Sequence, residues 1–232
     1  THVFGIEANI IKLCNFAKKN KKKVIFDAAH CFGVKYKKKS ILNYGDASIL
    51  SFQATKIFNT CEGGAVIFKK KKDFLKARKL INIGYDYYSK SAIPSDGINA
   101  KMSELNAAWG LALLEKYNDI LSKKRKIYQT YKKKLNKSNI KIINEIFDNN
   151  FNYMPIIFKS QKIKDLVFKK LKNKKIFARK YFYPSLNTLK HLKSKNLNIS
   201  ESVSSKILCL PVFENLKPIT IQTICNIIKN YA

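Results

Sequence analysis

Acidic side chains are scarce: 15 Asp and Glu stand against 46 Lys and Arg in 232 residues, a formal net charge of +31. Arginine is scarcer still, with only Arg78, Arg125 and Arg179. Proteins that read nucleic acid cluster arginine, because its planar fork bonds bases and phosphates in pairs. Here lysines lie in short runs at 18–23, 37–39, 69–72 and 132–134, spread along the chain. That pattern predicts no specific nucleic-acid partner, only a general attraction for anions. Histidine is limited to His2, His30 and His191, and the five cysteines (Cys14, Cys31, Cys61, Cys209, Cys225) form no C-x-x-C pair. No metal site and no disulfide framework are therefore expected, and the thiols read as reduced, as in a cytoplasmic protein. No apolar run is long enough to span a bilayer, so no membrane partner is expected. The opening Thr1-His2-Val3-Phe4-Gly5 has no initiator Met, basic region or apolar core of a signal peptide, and reads as a chain entered midway.

What is present suffices for a real core, with 46% hydrophobic residues. The first half alternates helix and strand. Apolar spacing predicts helices over 6–19, 70–82 and 101–117, with apolar strands at 23–26 (ending in Asp27), 47–52 and 65–68. In helix 101–117, Met102, Leu105, Trp109, Ala112 and Leu113 are expected to line one face, while Ala107, Ala108, Gly110 and Ala112 permit close packing. A second unit is expected from 119: helix 119–136, strand 151–158, helix 161–173, strand 176–182, a short helix near 201–206, strand 207–210 and helix 218–230. The reading is α/β, in two domains, 1–118 and 119–232.

The most informative stretch is 40–68. A 29-residue window should hold roughly five of this chain's lysines, and it holds one, Lys56, beside Asp46 and Glu62. The window reads as buried. Two explanations of Lys56 stand: a survivor whose ammonium snorkels to the surface, or a desolvated amine used as a nucleophile. Asp27 ends an apolar strand, at the edge where open α/β sheets place ligand-binding groups. Ser51 ends the next strand, either as an ordinary turn serine or as a hydroxyl for a phosphate. A carboxylate able to face a cationic ring nitrogen is what pyridoxal 5′-phosphate (PLP) requires.

Val24-Ile25-Phe26-Asp27-Ala28-Ala29-His30-Cys31-Phe32-Gly33, Gly45-Asp46-Ala47 and the run from Ser51-Phe52-Gln53-Ala54-Thr55-Lys56 to Glu62-Gly63-Gly64-Ala65 resemble the DegT-type sugar-nucleotide aminotransferases. So do Gly97-Ile98-Asn99-Ala100-Lys101-Met102-Ser103-Glu104-Leu105-Asn106-Ala107-Ala108, Ala178-Arg179-Lys180-Tyr181-Phe182-Tyr183-Pro184 and Leu208-Cys209-Leu210-Pro211-Val212. The resemblance spans essentially the whole chain. It implies a PLP-dependent transferase fold of type I, like aspartate aminotransferase: the C-terminal part of the large domain plus a small α/β domain.

Residue by residue, the resemblance implies that Lys56 holds PLP as a Schiff base and shuttles the proton. Asp27 would pair with the pyridinium nitrogen, His30 would stand on the ring-hydroxyl side, and Ser51 would bind the phosphate. Asn99 would also bind the phosphate, reaching the partner's site across a homodimer. Gln53 stands where the nearest branch usually has a histidine near the cofactor. That branch moves an amino group, normally from glutamate, onto a nucleotide-linked 4-keto-6-deoxyhexose. Family members also carry a preceding segment with a further phosphate turn and a ring-stacking aromatic. Arg179 and Tyr181 read either as substrate contacts or as packing residues, and Tyr85, Tyr87 and Tyr88 as a sugar site or a surface loop. A dehydratase of the same family would replace the lysine by histidine, and Lys56 argues against it. The rival readings are a fragment inactive alone, half of a split enzyme, and a basic nucleic-acid-binding module.

Overall fold

Asn9 sets where the first helix starts. Its side-chain oxygen accepts the backbone N–H of Lys12 at 3.2 Å and caps α1 (Ile10–Lys19). The spacing predicts a start at residue 6. The chain instead makes a 3₁₀ turn at Val3–Gly5, with Phe4 at φ 58°, and the cap holds Asn9 outside helical geometry. The computed structural model describes residues 1–85, 97–143, 149–192 and 194–231. It divides into one unit of Thr1–Asn118 with Asp148–Asn150, and another of Asp119–Phe147 with Phe151–Ala232.

In the first unit α1 is followed by β1 (Ile25–Asp27), a short hairpin of β2 (Lys35–Tyr36) and β3 (Lys39–Ser40), then β4 (Ala47–Ser51), β5 (Gly64–Phe68) and α2 (Lys71–Leu80). The sheet order is β1-β4-β5. β1 runs parallel to β4 with Asp27 opposite Ile49, and β5 is antiparallel with Ser51 opposite Gly64. Side chains alternate between faces. Phe26 and Leu50 enter a core with Ile10, Ala28, Cys31, Val34 and Ile41. The other face carries Ile25, Ile49 and Val66, which are 64%, 42% and 49% exposed. Asp27 and Ser51 fall on that same face by register. The hairpin was not legible beforehand, because its turn places Lys37 and Lys38 at φ 49° and 64°, where glycine or asparagine is the usual signal.

The two helices expected over 101–117 and 119–136 are one, α3 (Glu104–Leu135). Ser103 caps it, its Oγ accepting the Asn106 N–H at 3.2 Å. No proline or glycine interrupts the Asn118-Asp119 junction, and Lys123 pairs with Asp119 one turn on at 2.7 Å. The face those residues line is exposed but for half-buried Leu113. Leu105 is 85% exposed and Trp109 53%, while Gly110 is the buried position, facing Thr60 and Phe58 so closely that a Cβ would lie 2.8 Å from Thr60 Cγ2. Backbone proximity, not bulk, is what this helix offers the first unit.

The second unit joins the remainder of α3 to an antiparallel sheet of β6 (Ile140–Ile142), β7 (Met154–Phe158) and β8 (Ile207–Leu210), in that order. Helices α4 (Gln161–Asn173), α5 (Asn198–Lys206) and α6 (Pro218–Tyr231) complete it. Ser160 caps α4 through the Ile163 N–H at 3.3 Å. The strand expected at 176–182 is absent. Arg179 makes one bridge to Cys209 on the open edge of β8, and then Tyr181 N–H turns back to the Arg179 carbonyl. Aromatic and β-branched composition reads as strand, but the turn ends the ladder after one pair. The core holds Tyr131, Met154, Ile156, Val167, Leu171, Leu208 and Ile224. Ile224 is fully buried, so Ile224→Ala is expected to destabilise this unit by about 2–5 kcal/mol in urea unfolding. A loss under about 0.5 kcal/mol would contradict the packing. Among the described residues no helix is long and apolar enough to cross a membrane.

Candidate active site

The C-terminal ends of the parallel pair β1 and β4 bring the first polar groups together. Ala28 N–H donates to the Ile49 carbonyl at 2.9 Å, which locks the exit of β1 against β4. Asp27 stands exposed there, one carboxylate oxygen accepting the Ala29 N–H at 3.0 Å. Ser51, half-buried, lies two residues beyond Ile49, about 7 Å farther along the strand.

His30 follows in the turn after β1. Its Nδ1 accepts the Phe4 N–H at 2.9 Å, and its backbone carbonyl accepts from Asn150 Nδ2 at 2.9 Å. Burial first and the Lys56 ammonium second lower its pKa, against the opposing Asp27 carboxylate, to about 4. These couplings place His30 within electrostatic reach of both Lys56 and Asp27. Just beyond, Gly33 has φ 75°, and a Cβ there would sit 2.0 Å from the Tyr117 hydroxyl, so the turn tolerates no side chain.

Lys56 sits half-buried in the loop joining β4 to β5. Phe52 N–H donates to the Gly63 carbonyl at 2.8 Å and Thr60 N–H to the Phe52 carbonyl at 2.9 Å, closing the loop at its neck. Ile57 and Phe58 anchor it below. Phe58 stacks on Phe32 at 4.2 Å and meets Phe52 edge-on at 5.0 Å, while Tyr117 meets Phe32 at 5.2 Å. The aromatic floor thus ties the Lys56 loop to the segment bearing His30. Burial of the window 40–68 holds for this floor and for most of β4. It fails at Asn43, at Ile49 on the open face of β4, at Ala54, Cys61, Glu62 and Gly63 on the solvent rim of the loop, and at Gly64 and Val66 of β5, all of which are exposed.

Gln53 belongs to the frame of the loop. Its Oε1 accepts the Thr55 N–H at 3.1 Å and the Thr55 hydroxyl, and its carbonyl accepts the Lys56 N–H at 2.9 Å. Asn99 is exposed, bridged to Asn82, with its Oδ1 accepting from Lys101 Nζ at 2.7 Å. Neither partner belongs to the group around Asp27, Ser51 and Lys56. Arg179 and Tyr181 lie in the second unit and bond each other, Nη1 to hydroxyl at 2.9 Å. Tyr85 is 39% exposed, and Tyr87 and Tyr88 lie outside the described residues. His191 is exposed. His2 is fully buried against Phe26, its Nδ1 accepting the Ala8 N–H at 2.9 Å. Among the described residues no three His, Cys, Asp or Glu gather to hold a metal ion.

Two side chains of α3 hold the loop, and a loop asparagine relays one of them to Lys56. Trp109 Nε1 donates to Asn59 Oδ1 at 3.1 Å. Asn106 Nδ2 donates to the Thr60 and Glu62 carbonyls at 2.5 and 2.7 Å. Asn59 Nδ2 in turn donates to the Lys56 carbonyl at 3.3 Å. Asparagines carry no periodic signature, and only the Ser103-x-x-Asn106 capping spacing was there to notice.

Chemically, the arrangement offers a carboxylate, a hydroxyl and a primary amine around one sheet edge, on a firmly anchored base. Residues 1–229 match the DegT/DnrJ/EryC1/StrS aminotransferase family. The chain is 36% identical over 243 residues to dTDP-4-amino-4,6-dideoxy-D-glucose transaminase of Shigella dysenteriae, covering 98% of this chain and 64% of that protein. It is 30% identical over 234 residues to GDP-perosamine synthase of Escherichia coli O157:H7, covering 99% of this chain and 64% of the relative. The chain therefore spans less than two thirds of these relatives. Among solved structures, DesI, determined in the presence of its TDP-sugar product, superposes with a TM-score of 0.89 at 28% identity, over 99% of this chain and 60% of that one. PseC of Helicobacter pylori shares the fold, with a TM-score of 0.90 at 21% identity over 99% and 65% of the two chains.

Proposed function

Because this chain belongs to the DegT/DnrJ/EryC1/StrS aminotransferase family, we propose that it is the lysine-bearing part of a PLP-dependent enzyme that transfers an amino group to a nucleotide-linked 4-keto-6-deoxyhexose. The observation that carries this is the placement of Asp27 and Ser51 on one sheet face at the ends of adjacent parallel strands, with Lys56 on the loop that leaves the second. The relatives' nucleotide-sugar names support the substrate class.

The donor set fits the cofactor's three ionic ends. Asp27 would face the ring nitrogen and keep it protonated, and the Ser51 hydroxyl would donate to the phosphate. Lys56 Nζ would be the attachment point and, when released, the group that holds and moves the proton at the reacting carbon. When bound, PLP withdraws electrons from that carbon. His30 is held neutral by burial and by the Lys56 charge, so it would present an uncharged ring on the hydroxyl side. Gln53 would shape the turn before Lys56 and stand beside the cofactor. Asn99, exposed at its bridge, would reach the phosphate of a partner subunit in a homodimer, and Arg179 and Tyr181 would contact the sugar nucleotide. Glutamate is the proposed amino donor and the cytoplasm the proposed location.

The test exploits the lysine count. PLP condenses with any accessible amine, and this chain has 43 lysines. Incubation with PLP, reduction with borohydride and peptide mapping are expected to show one saturable site, at Lys56. Label spread over surface lysines without saturation would sink the proposal. A second reading is favoured by the apolar side chains Ile25, Ile49 and Val66, exposed on the same face as Asp27 and Ser51. They suit a fragment that turns over only when the rest of the family's length is supplied, within the same polypeptide or by a separate one. Turnover restored by adding the N-terminal third of a full-length relative, and absent without it, would establish that reading.

A further inference from the structure

We propose that Trp109 is a positioning residue for Lys56: its indole N–H fixes Asn59, whose side-chain amide fixes the Lys56 carbonyl, so that α3 sets where the Lys56 amine stands. The relevance to catalysis rests on Lys56 being the cofactor lysine; the positioning itself does not.

The relay is continuous. Trp109 Nε1–H reaches Asn59 Oδ1 at 3.1 Å, the same oxygen takes the Cys61 N–H at 3.3 Å, and Asn59 Nδ2–H reaches the Lys56 carbonyl at 3.3 Å. One side chain therefore spans the loop from Lys56 to Cys61, and Trp109 fixes its orientation. Asn106, one turn earlier on α3, bonds the Thr60 and Glu62 carbonyls. Gly110, one position after Trp109, lets the helix backbone come this close. Within the loop, Cys61 sits at φ 61°, outside the conformations a cysteine prefers, so its geometry depends on these bonds. Trp109 is 53% exposed, so packing holds its indole on one side only. A ring so placed, with its one donor engaged, is explained by the bond rather than by core packing. The hydroxyl of Thr60, buried, donates to the Glu62 carbonyl at 2.8 Å and stiffens the same turn. Between them these groups leave the Lys56 backbone few ways to move, which fixes the point and bond direction from which its side chain departs.

Trp109→Phe removes the donor and keeps the ring. Three measurements on the intact chain are expected to change together. Amide exchange at Cys61 quickens about tenfold. The pH profile of Lys56 acylation, mapped in PLP-free protein by mass spectrometry, departs from wild type. PLP retention at Lys56 weakens about three- to tenfold, the range for losing one hydrogen bond. Asn59→Ala, which cuts both links, is expected to shift all three further in the same direction, and Asn106→Ala provides the test if Trp109→Phe does not fold. A Trp109→Phe protein with wild-type Cys61 exchange and a wild-type Lys56 acylation profile overturns the positioning role. If wild-type Lys56 takes up no PLP while Trp109→Phe still alters its acylation, the cofactor reading fails and the positioning role stands.

Discussion

Lys56→Ala is expected to abolish saturable attachment of PLP and to lower amino transfer by at least on the order of 10³-fold, the scale of losing a positioned proton-transfer group. Lys56→Arg is expected to fail equally, although it restores the charge, because a guanidinium that stays protonated cannot condense with an aldehyde. The pair separates the amine from the cation. The fold should survive both, since Ile57, Phe58 and Thr60 anchor the loop while Lys56 stays half outside it. His30 supplies an independent readout: the Lys56 ammonium is one cause of its low pKa, so alanine should raise the His30 pKa and arginine should not. Attachment persisting in Lys56→Ala, followed by reduction and mapping to another lysine, would move the cofactor elsewhere.

Elements whose pattern and neighbours agreed were legible from the sequence. α4 has an apolar stripe, a serine cap and no competing partner, and it spans the residues its spacing predicts. β8 is a short apolar run with all four residues buried, and burial of both faces is what such a run signals. The misses share one cause, decisions made by a single contact. Residues 176–182 have strand composition, yet one backbone turn at Tyr181 diverts them after a single bridge. Helices 101–117 and 119–136 read as two by spacing, whereas α3 runs through the junction with an ion pair from Asp119 to Lys123 one turn on. Periodicity places Trp109 on one face with Met102 and Leu105. Periodicity reports which residues share a side, not what lies opposite, and opposite Trp109 lies an asparagine.

The candidate site was legible for a different reason. Charge depletion around Lys56 is visible only because lysine is everywhere else, so composition itself made the contrast. Asp27 and Ser51 stood out as strand ends, and register then put them on one face. The supporting layer stayed hidden. Asn59 and Asn106 act across 44 to 50 positions of chain and Phe32 meets Phe58 and Tyr117 across 26 and 85, and no local pattern encodes such partners.

Acid is expected to unfold the first unit before the second, over a window set by two histidines. His2 and His30 each have a pKa lowered from 6.5 to about 4, in both cases chiefly by burial. For His30 the Lys56 ammonium adds to the lowering; Asp27 opposes it at both histidines. Each uses Nδ1 as an acceptor, from Ala8 N–H and Phe4 N–H respectively. The neutral ring therefore carries its proton on Nε2, and protonating Nδ1 would set one N–H against another. The unfolded chain binds these protons below pH 6.5 and the folded chain does not until about 4, so stability rises with pH across that interval and is flat above it. Each imidazole accounts for about 3 kcal/mol, a large part of a typical 5–15 kcal/mol domain stability. Asp46 acts lower: the Val24 N–H and Lys23 hold its carboxyl below its ordinary 3.8, so its contribution is lost only beneath the histidine window. Asparagine mimics the Nδ1 acceptor without titrating, so His2→Asn with His30→Asn should flatten the urea midpoint of the first unit between pH 6.5 and 4.5. Wild type with equal midpoints at pH 7 and 4.5, or a double variant as acid-sensitive as wild type, would show that the imidazoles do not carry this dependence. Because these bonds hold Ala8 to His2 and Phe4 to the turn after β1, hydrogen exchange at Phe4 and Ala8 should accelerate first, before β4 opens and releases the Lys56 loop.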